Sequence, residues 1–413
     1  MIRSNKKLYY KYFDLMRVSI FLHDEERSLR AKNNLSIIEG NFDTEIISLP
    51  LSSLLDLGFD NNSILEIYEF RETGAIQGII DYVNSVESWI RTIILPDFFD
   101  LHMLSTIFAK EKIGSKEQLM AFFKSKSSEM RYGKEESELF TYFVQNIDGS
   151  CFPCGYRKNY SVDDVIIRNY SGEMIWGNFH NHTPYSDGKC VISELKNMAK
   201  ACGRTYIGIS DHTKKVRGVD EEGIVKQHHE IDELNRNDSS FIVLKSLECE
   251  ILSDGKLDIS DGYLKKCDYI IAAVHRDTCM TKPNATRRML KAIDNTYTNI
   301  LAHPSSRLYK RNIGLFLDMY KIIDACVANN VALEINGDPD RLDLDPKYIE
   351  YALKKGAYFT VDSDTHSFDG FKNINNAVSI AKDNNIPPDR ILNTYKMNEM
   401  NFGSPKLWGH KDY

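Results

Sequence analysis

Short apolar runs that stop at a histidine or a carboxylate shape the second half of the chain. MIWGNFH (174–180), TYIGIS (205–210), FIVLKSLE (241–248), YIIAAV (269–274), NILA (299–302), VALEI (331–335) and AYFTV (357–361) carry the β-branched and aromatic bias of buried strands. Between them lie amphipathic stretches: SELKNMAKACG, EGIVKQHHEIDELNRN, ATRRMLKAIDN, LFLDMYKIIDACVANN and PKYIEYALKKG. Strand–helix alternation at this spacing calls for parallel strands with crossover helices. About seven such units in roughly 240 residues predict an α/β architecture closed into a barrel rather than an open sheet.

The ends of these runs carry the chemistry. The first ends in His180 and His182, the second in Asp211-His212, the third in Glu248, the fourth in His275 and the fifth in His303; the last leads to Asp364 and His366. In a β/α barrel all strand C-termini open on one face. A single histidine after an apolar strand is more often a packing or capping residue than a ligand. Six strands ending this way are not explained by packing, because such groups are costly to bury unpaired. Histidine with carboxylate is the donor set of Zn, Mn or Fe.

His180-Asn-His182 on an extended segment puts both rings on one side. Asp187 follows in the turn TPYSDGK. Nine candidate donors result: His180, His182, Asp187, His212, Glu248, His275, His303, Asp364 and His366. At about three or four protein ligands per ion, they predict two or three divalent ions with a bridging carboxylate. Glu248, Asp364 and His366 are the residues expected to be indispensable to catalysis. His228 and His229, on a polar helical stretch, are read as packing or surface residues.

Adjacent divalent ions lower the pKa of a shared water and neutralise a phosphoryl group under attack. No P-loop and no GxSxG motif occurs, so nucleotide-driven and serine chemistry are not expected. Hydrolysis of a phosphate ester by a metal-bound hydroxide is the leading reading. Arg307 (HPSSR) and Arg341 (DPDRLDL), just past strand ends, are candidates to hold phosphate oxygens, with a surface salt bridge nearly as good an account of each.

The first half differs. ILEIYEFRETG, AIQGIIDYVNSVESWI, DLHMLSTIFAKEKIG and SKEQLMAFFKS each repeat apolar residues at helical spacing, several ending in Gly, with Ser115 and Ser125 at N-cap positions. No catalytic cluster is visible there: only His23 and His102 of the 11 histidines precede residue 175. We expect a helical domain over 1–150, a linker over 151–173 rich in turn residues, and the barrel over 174–413. Cys151 and Cys154 form a lone CxxC without a second pair, read as structural or incidental. Eight scattered cysteines fit buried thiols in a reducing compartment. The absence of a long apolar run, and a start (MIRSNKKLYYKYF) without a signal core, make a cytoplasmic protein the expectation. A net charge of −7 disfavours tight nucleic-acid binding by charge alone.

HNHTPYSDG, ISDHT, LECEILSDGKLDISD, AAVH, ILAHPSSR, LEINGDPDRLDL and VDSDTH occur in that order over about 174–405. Together they resemble the PHP (polymerase and histidinol phosphatase) domain, in particular the version at the C-terminus of bacterial family X DNA polymerases. The resemblance implies a distorted (β/α)7 barrel with a trinuclear centre. One ion would be held by His180, His182, Glu248 and Asp364; a second by Glu248, His275 and His303; a third by Asp187, His212 and His366. It also implies a Mn-dependent 3′–5′ exonuclease and DNA 3′-end phosphoesterase, or, in other branches, a phosphatase of histidinol phosphate or similar small esters. LYYKYFDLMRVSIFLHDEERSLRAKNNL, LLDLGFDNNSILEIYEFRETG and LPDFFDLHMLSTIFAKEKIGSKEQLMAFF resemble the helical N-terminal and helix-hairpin-helix segments of the same polymerases. The hairpin lacks its usual glycines, reading PDFFDLH, and residues 146–175 stand where the polymerase palm would be. Polymerase activity is therefore not expected. Two smaller departures sit on the rim: Arg276-Asp277 follows His275, and Ser306 replaces the family's usual Gly. The rival reading from another class is a non-catalytic module that binds DNA ends or a protein.

Overall fold

The computed structural model describes residues 3–41, 44–95, 99–146, 167–216, 218–307 and 314–402; Cys151 and Cys154 lie outside them. The chain divides into two compact units, Met1–Asp148 and Gly149–Tyr413.

In the described residues of the first unit, every regular element is a helix. Helices Arg3–Phe21 and Glu25–Gly40 are joined by a three-residue turn, and Tyr12, Leu15, Ala31, Leu35, Ile64 and Ile67 form part of their shared core. Polar N-caps start the later helices: Asp60, Asp100, Ser115 and Ser125 each accept the backbone N–H three residues on. Gly74 ends its helix in left-handed backbone, as its position in the sequence suggests. Lys112, not Gly114, has that role after Leu101–Glu111. The stretch 75–90 is two helices, Gln77–Asn84 and Ser88–Ile94, rather than one. The Ser85 hydroxyl donates to the Tyr82 carbonyl at 2.6 Å, a local bond that competes with helix continuation.

The second unit opens with a hairpin of β1 (Asn169–Tyr170) and β2 (Glu173–Met174), followed by parallel strands β3 (Tyr206–Ile209), β4 (Ile242–Lys245), β5 (Glu248–Glu250), β6 (Ile271–Ala273), β7 (Ile300–Leu301), β8 (Ala332–Asn336) and β9 (Phe359–Asp362). β3 pairs with β4, and β5 to β9 pair in sequence order. β4 and β5 are two halves of one extended run: the first pairs back to β3 and the second forward to β6. The Ser246 and Glu248 N–H groups continue the ladder onto the Ile209 and Asp211 carbonyls at 2.9 and 3.1 Å.

The expected strand over 174–180 is regular only at its start. Residues 176–182 nevertheless close the ring. Thr205, Gly208 and Ser210 donate to the Trp176, Asn178 and Asn181 carbonyls at 2.8–2.9 Å on one side, and His182 donates to Thr365 at 2.8 Å on the other. Side chains take over part of the ladder here: Asn178 Nδ2 bonds Ser363 Oγ at 2.7 Å, and Asn181 Nδ2 bonds the Gly208 carbonyl at 2.9 Å. With this stave the barrel has seven.

Strand alternation sorts the apolar residues into two layers. Ala272, Leu301, Leu333, Ile335 and Val361 point outward to the helices; Ile271, Ala273, Ile300, Ala302 and Ala332 point inward. Phe179, Tyr206, Leu244 and Tyr269 join the inner layer and plug the barrel. The packing leaves no room at Gly208, where a Cβ would lie 1.6 Å from Tyr269 Oη.

Candidate metal centre

At the C-terminal mouth of the barrel the strand ends bring their polar residues together, and Glu248 is the centre. Its side chain is fully buried. Its oxygens lie 2.7 Å from His212 Nδ1, 2.8 Å from His303 Nε2, 3.3 Å from His275 Nε2, 3.4 Å from His180 Nε2 and 3.5 Å from His182 Nε2. Asp364 lies opposite, 3.1 Å from His182 Nε2, 3.4 Å from His180 Nε2 and 3.5 Å from His366 Nδ1. Asp187 reaches in from its turn, 3.2 Å from His366 Nε2 and 3.7 Å from His212 Nε2. The ring Nδ1–H of His366 is directed to the Asp364 carbonyl at 2.8 Å, which leaves Nε2 facing Asp187. His303 and Asp364 have φ of 29° and 51°, a conformation non-glycine residues rarely hold and one that clusters at functional sites.

Two carboxylate oxygens cannot hydrogen-bond five imidazoles, and they do not. His180 Nε2, His212 Nδ1, His275 Nε2 and Glu248 Oε2 are buried without a hydrogen-bond partner although they converge. Lone pairs crowded into one buried space need a cation between them. Groups of three or four donor atoms lie within 4.8 Å of one another: His182, Asp187, His212 and His366; His180, His182 and Glu248; His180, His303 and Asp364; His212, Glu248 and His275. Among the described residues their union is the nine donors picked out from the sequence. Such a set fits divalent ions. The electrostatics agree. Burial opposes charge on Glu248, but His180, His275 and His212 outweigh it and hold the carboxyl well below its ordinary value. Burial pushes His182 and His303 down to about 3, whereas neighbouring carboxylates outweigh burial at His180, His275 and His366 and raise them, so an ion entering the cluster must displace protons from these three rings.

Behind these donors stand carboxylates that the sequence reading passed over. Glu334 Oε1 accepts from His180 Nδ1 at 2.6 Å, and its Oε2 accepts from the His303 N–H at 2.7 Å and Asn336 Nδ2 at 3.1 Å. Glu250 accepts from His275 Nδ1 at 2.8 Å and is itself backed by Arg288 at 3.4 Å. A carboxylate on the far nitrogen fixes ring orientation and tautomer and raises basicity at the near one. The signal was present: Glu334 is the charged residue in the apolar run VALEI, and Glu250 shares a strand face with Glu248. We expect Glu334→Gln to weaken Mn²⁺ binding about 10- to 100-fold, read by competition with a fluorescent chelator. Unchanged affinity would remove Glu334 from this role.

The arginines divide. Arg341 Nε lies 3.5 Å from Asp364 Oδ2, at the edge of the cluster. Arg307 is buried and its Nε donates to the Arg341 carbonyl at 2.8 Å, so it braces the segment that carries Arg341. Ser306 has φ of 51°, which gives a backbone reason for glycine at this place. His228 packs with Nε2 3.9 Å from Cys267 Sγ, and His229 is exposed beside Glu233.

No family profile matches the chain. It is 32% identical over 233 residues to the DNA polymerase/3′-5′ exonuclease PolX of Bacillus subtilis, a match covering 55% of this chain and 40% of that protein. The chain thus spans about two fifths of that relative's length. Probable phosphatases of Clostridium acetobutylicum and a Thermoanaerobacter species are 26% and 28% identical, over 52% of this chain and 88% and 89% of theirs. Among solved structures, histidinol phosphate phosphatase of Lactococcus lactis, complexed with Zn, L-histidinol and phosphate, aligns with a TM-score of 0.40 at 16% identity, covering 56% of this chain and 98% of that one. Among the described residues no helix is long and apolar enough to cross a membrane.

Proposed function

We propose that the C-terminal half of the chain is a PHP domain and that the protein is a metal-dependent phosphoesterase whose ions sit among the nine candidate donors at the barrel mouth. What carries the reading is the convergence of five imidazoles on the buried Glu248 carboxylate without hydrogen bonds to match. Divalent ions held by these donors would supply a coordinated water of lowered pKa and would neutralise charge on the phosphoryl group. The protein's own groups do the rest. Burial opposes charge on Glu248 and Asp364, but the histidines around them hold both carboxyls ionised, so both would be available to hold divalent ions. Glu334 and Glu250 hold His180 and His275 with one nitrogen facing inward. Arg341, at the rim, takes phosphate oxygens through its planar fork, and Arg307 keeps the backbone of Arg341 in place.

A DNA 3′ end is the substrate we favour, with removal of nucleotides in the 3′–5′ direction and no polymerisation. The motif order and the 32% identity to a polymerase with 3′-5′ exonuclease in its name support this. A small phosphoester is the second reading, favoured by probable phosphatases that match over most of their own length. Metal-stripped protein reloaded with Mn²⁺ separates the two when offered a 3′-labelled oligonucleotide, histidinol phosphate and an aryl phosphate. Stepwise 3′ shortening, absent from the Asp364→Ala/His366→Ala protein, is the expected result. Phosphate release from the small esters alone would move the protein to the second reading, and no turnover of any ester would overturn both.

A further inference from the structure

A buried carboxylate outside the nine donors ties the outermost of them in place. Asp211 is fully buried just past β3, one residue before His212. Its Oδ1 accepts from the Thr183 N–H at 2.7 Å and the Ser186 hydroxyl at 2.5 Å. Its Oδ2 accepts from the Thr183 hydroxyl at 2.6 Å and from Gln227 Nε2, on helix Glu221–Asn237, at 2.7 Å. Four donors use the whole accepting capacity of one carboxylate.

Thr183 and Ser186 belong to the turn that presents Asp187. The Ser186 and Gly188 N–H groups both close on the Thr183 carbonyl at 3.0 Å, and Lys189 donates to the His366 carbonyl at 3.0 Å. The turn also lies tight against its own start: a Cβ on Gly188 would be 2.1 Å from the His182 carbonyl oxygen. Asp187 therefore owes its position to a short loop, whereas His180, Glu248 and His303 stand on the barrel wall. The exposures follow: the side chains of Asp187 and His366 are 54% and 34% exposed, those of His180 and Glu248 0%. The Asp211 side chain joins the Asp187 turn, the His212 segment and a helix of the barrel's outer layer.

We propose that Asp211 is the positioning residue for the metal position formed by Asp187, His212 and His366, setting the affinity of that position and leaving the ion among His180, Glu248 and Asp364 untouched. The proposal rests on the cluster being a metal centre. Its action is geometric: Asp211 holds the Asp187–His212 spacing that an ion must bridge.

Asp211→Asn keeps the size of the side chain but turns an NH₂ toward groups that are themselves donors. Chelator-stripped protein is titrated with Mn²⁺ alone, free Mn²⁺ being followed by electron paramagnetic resonance. The expected result is a loss of about 10- to 100-fold in affinity for one ion, the others keeping wild-type values. Asp187→Asn should weaken the same ion, and the double variant should be no weaker than the worse single one, because both act on one position. Equal weakening of every ion, wild-type affinity throughout, or additive losses would each overturn the proposal. Should Asp211→Asn fail to fold, Gln227→Met removes one of the four donors and decides the matter: several-fold weakening of that single ion is expected, and none would be contrary. Wild-type protein that takes up no Mn²⁺ at all would overturn the metal-centre reading instead.

Discussion

Glu248→Ala protein is expected to lose Mn²⁺-dependent phosphoester hydrolysis by about 10⁴-fold or more, the scale seen when one member of a unit acting together is removed. The residue has no substitute. His180, His182, His212, His275 and His303 all have a ring nitrogen within 3.5 Å of its oxygens, so its removal leaves five imidazoles without the anion they share. The apolar layers of the barrel, built from residues such as Leu333, Val361, Ile271 and Tyr269, do not involve it. Circular dichroism of the variant should therefore match the parent while its bound metal falls. The measurement is kcat/KM on whichever ester the parent hydrolyses, beside metal content by mass spectrometry. Activity within tenfold of the parent would remove Glu248 from the centre.

Chelation should be felt in stability as well as in rate. An ion that binds the folded barrel and not the unfolded chain contributes RT ln(1 + [L]/Kd), about 2.7 kcal/mol when free metal stands at a hundred times Kd. For a domain of this size each kcal/mol moves the midpoint by roughly 2–4 °C, so saturating chelator should lower the barrel's Tm by roughly 5–11 °C. Scanning calorimetry with and without EDTA reads the shift. Glu248→Ala protein should show a smaller shift, because only the groups without Glu248, such as Asp187, His212 and His366, are left to hold metal. A parent protein indifferent to chelator would show that the donors fold together without needing an ion.

Much of this was legible residue by residue. Most of the candidate donors stood out because they follow apolar strands at their C-terminal ends, where a parallel barrel has only one place to put them. Helix starts at Ser115 and Ser125 were equally plain, since a cap is a contact three residues long. The break at Ser85 is local but runs against a continuing apolar pattern: the Ser85 hydroxyl bonds the Tyr82 carbonyl three residues back. Contacts decided at longer range were harder. The stave 176–182 has a strand's composition, yet Asn178 and Asn181 divert its bonding to Ser363 and Gly208. Glu334, Glu250 and Asp211 read as strand-end polar residues until their partners are known, and those partners are 154, 25 and 28 positions away for His180, His275 and Thr183.

What the amino-acid order determined by itself was a β/α alternation and nine candidate donors, because periodicity and residue chemistry are local properties. Only the tertiary structure decided which candidate donors lie close enough to share an ion and which carboxylates hold them, because those groupings depend on ring closure. Residue 181 must come beside 365, and residue 212 beside 248, before any imidazole finds its neighbour.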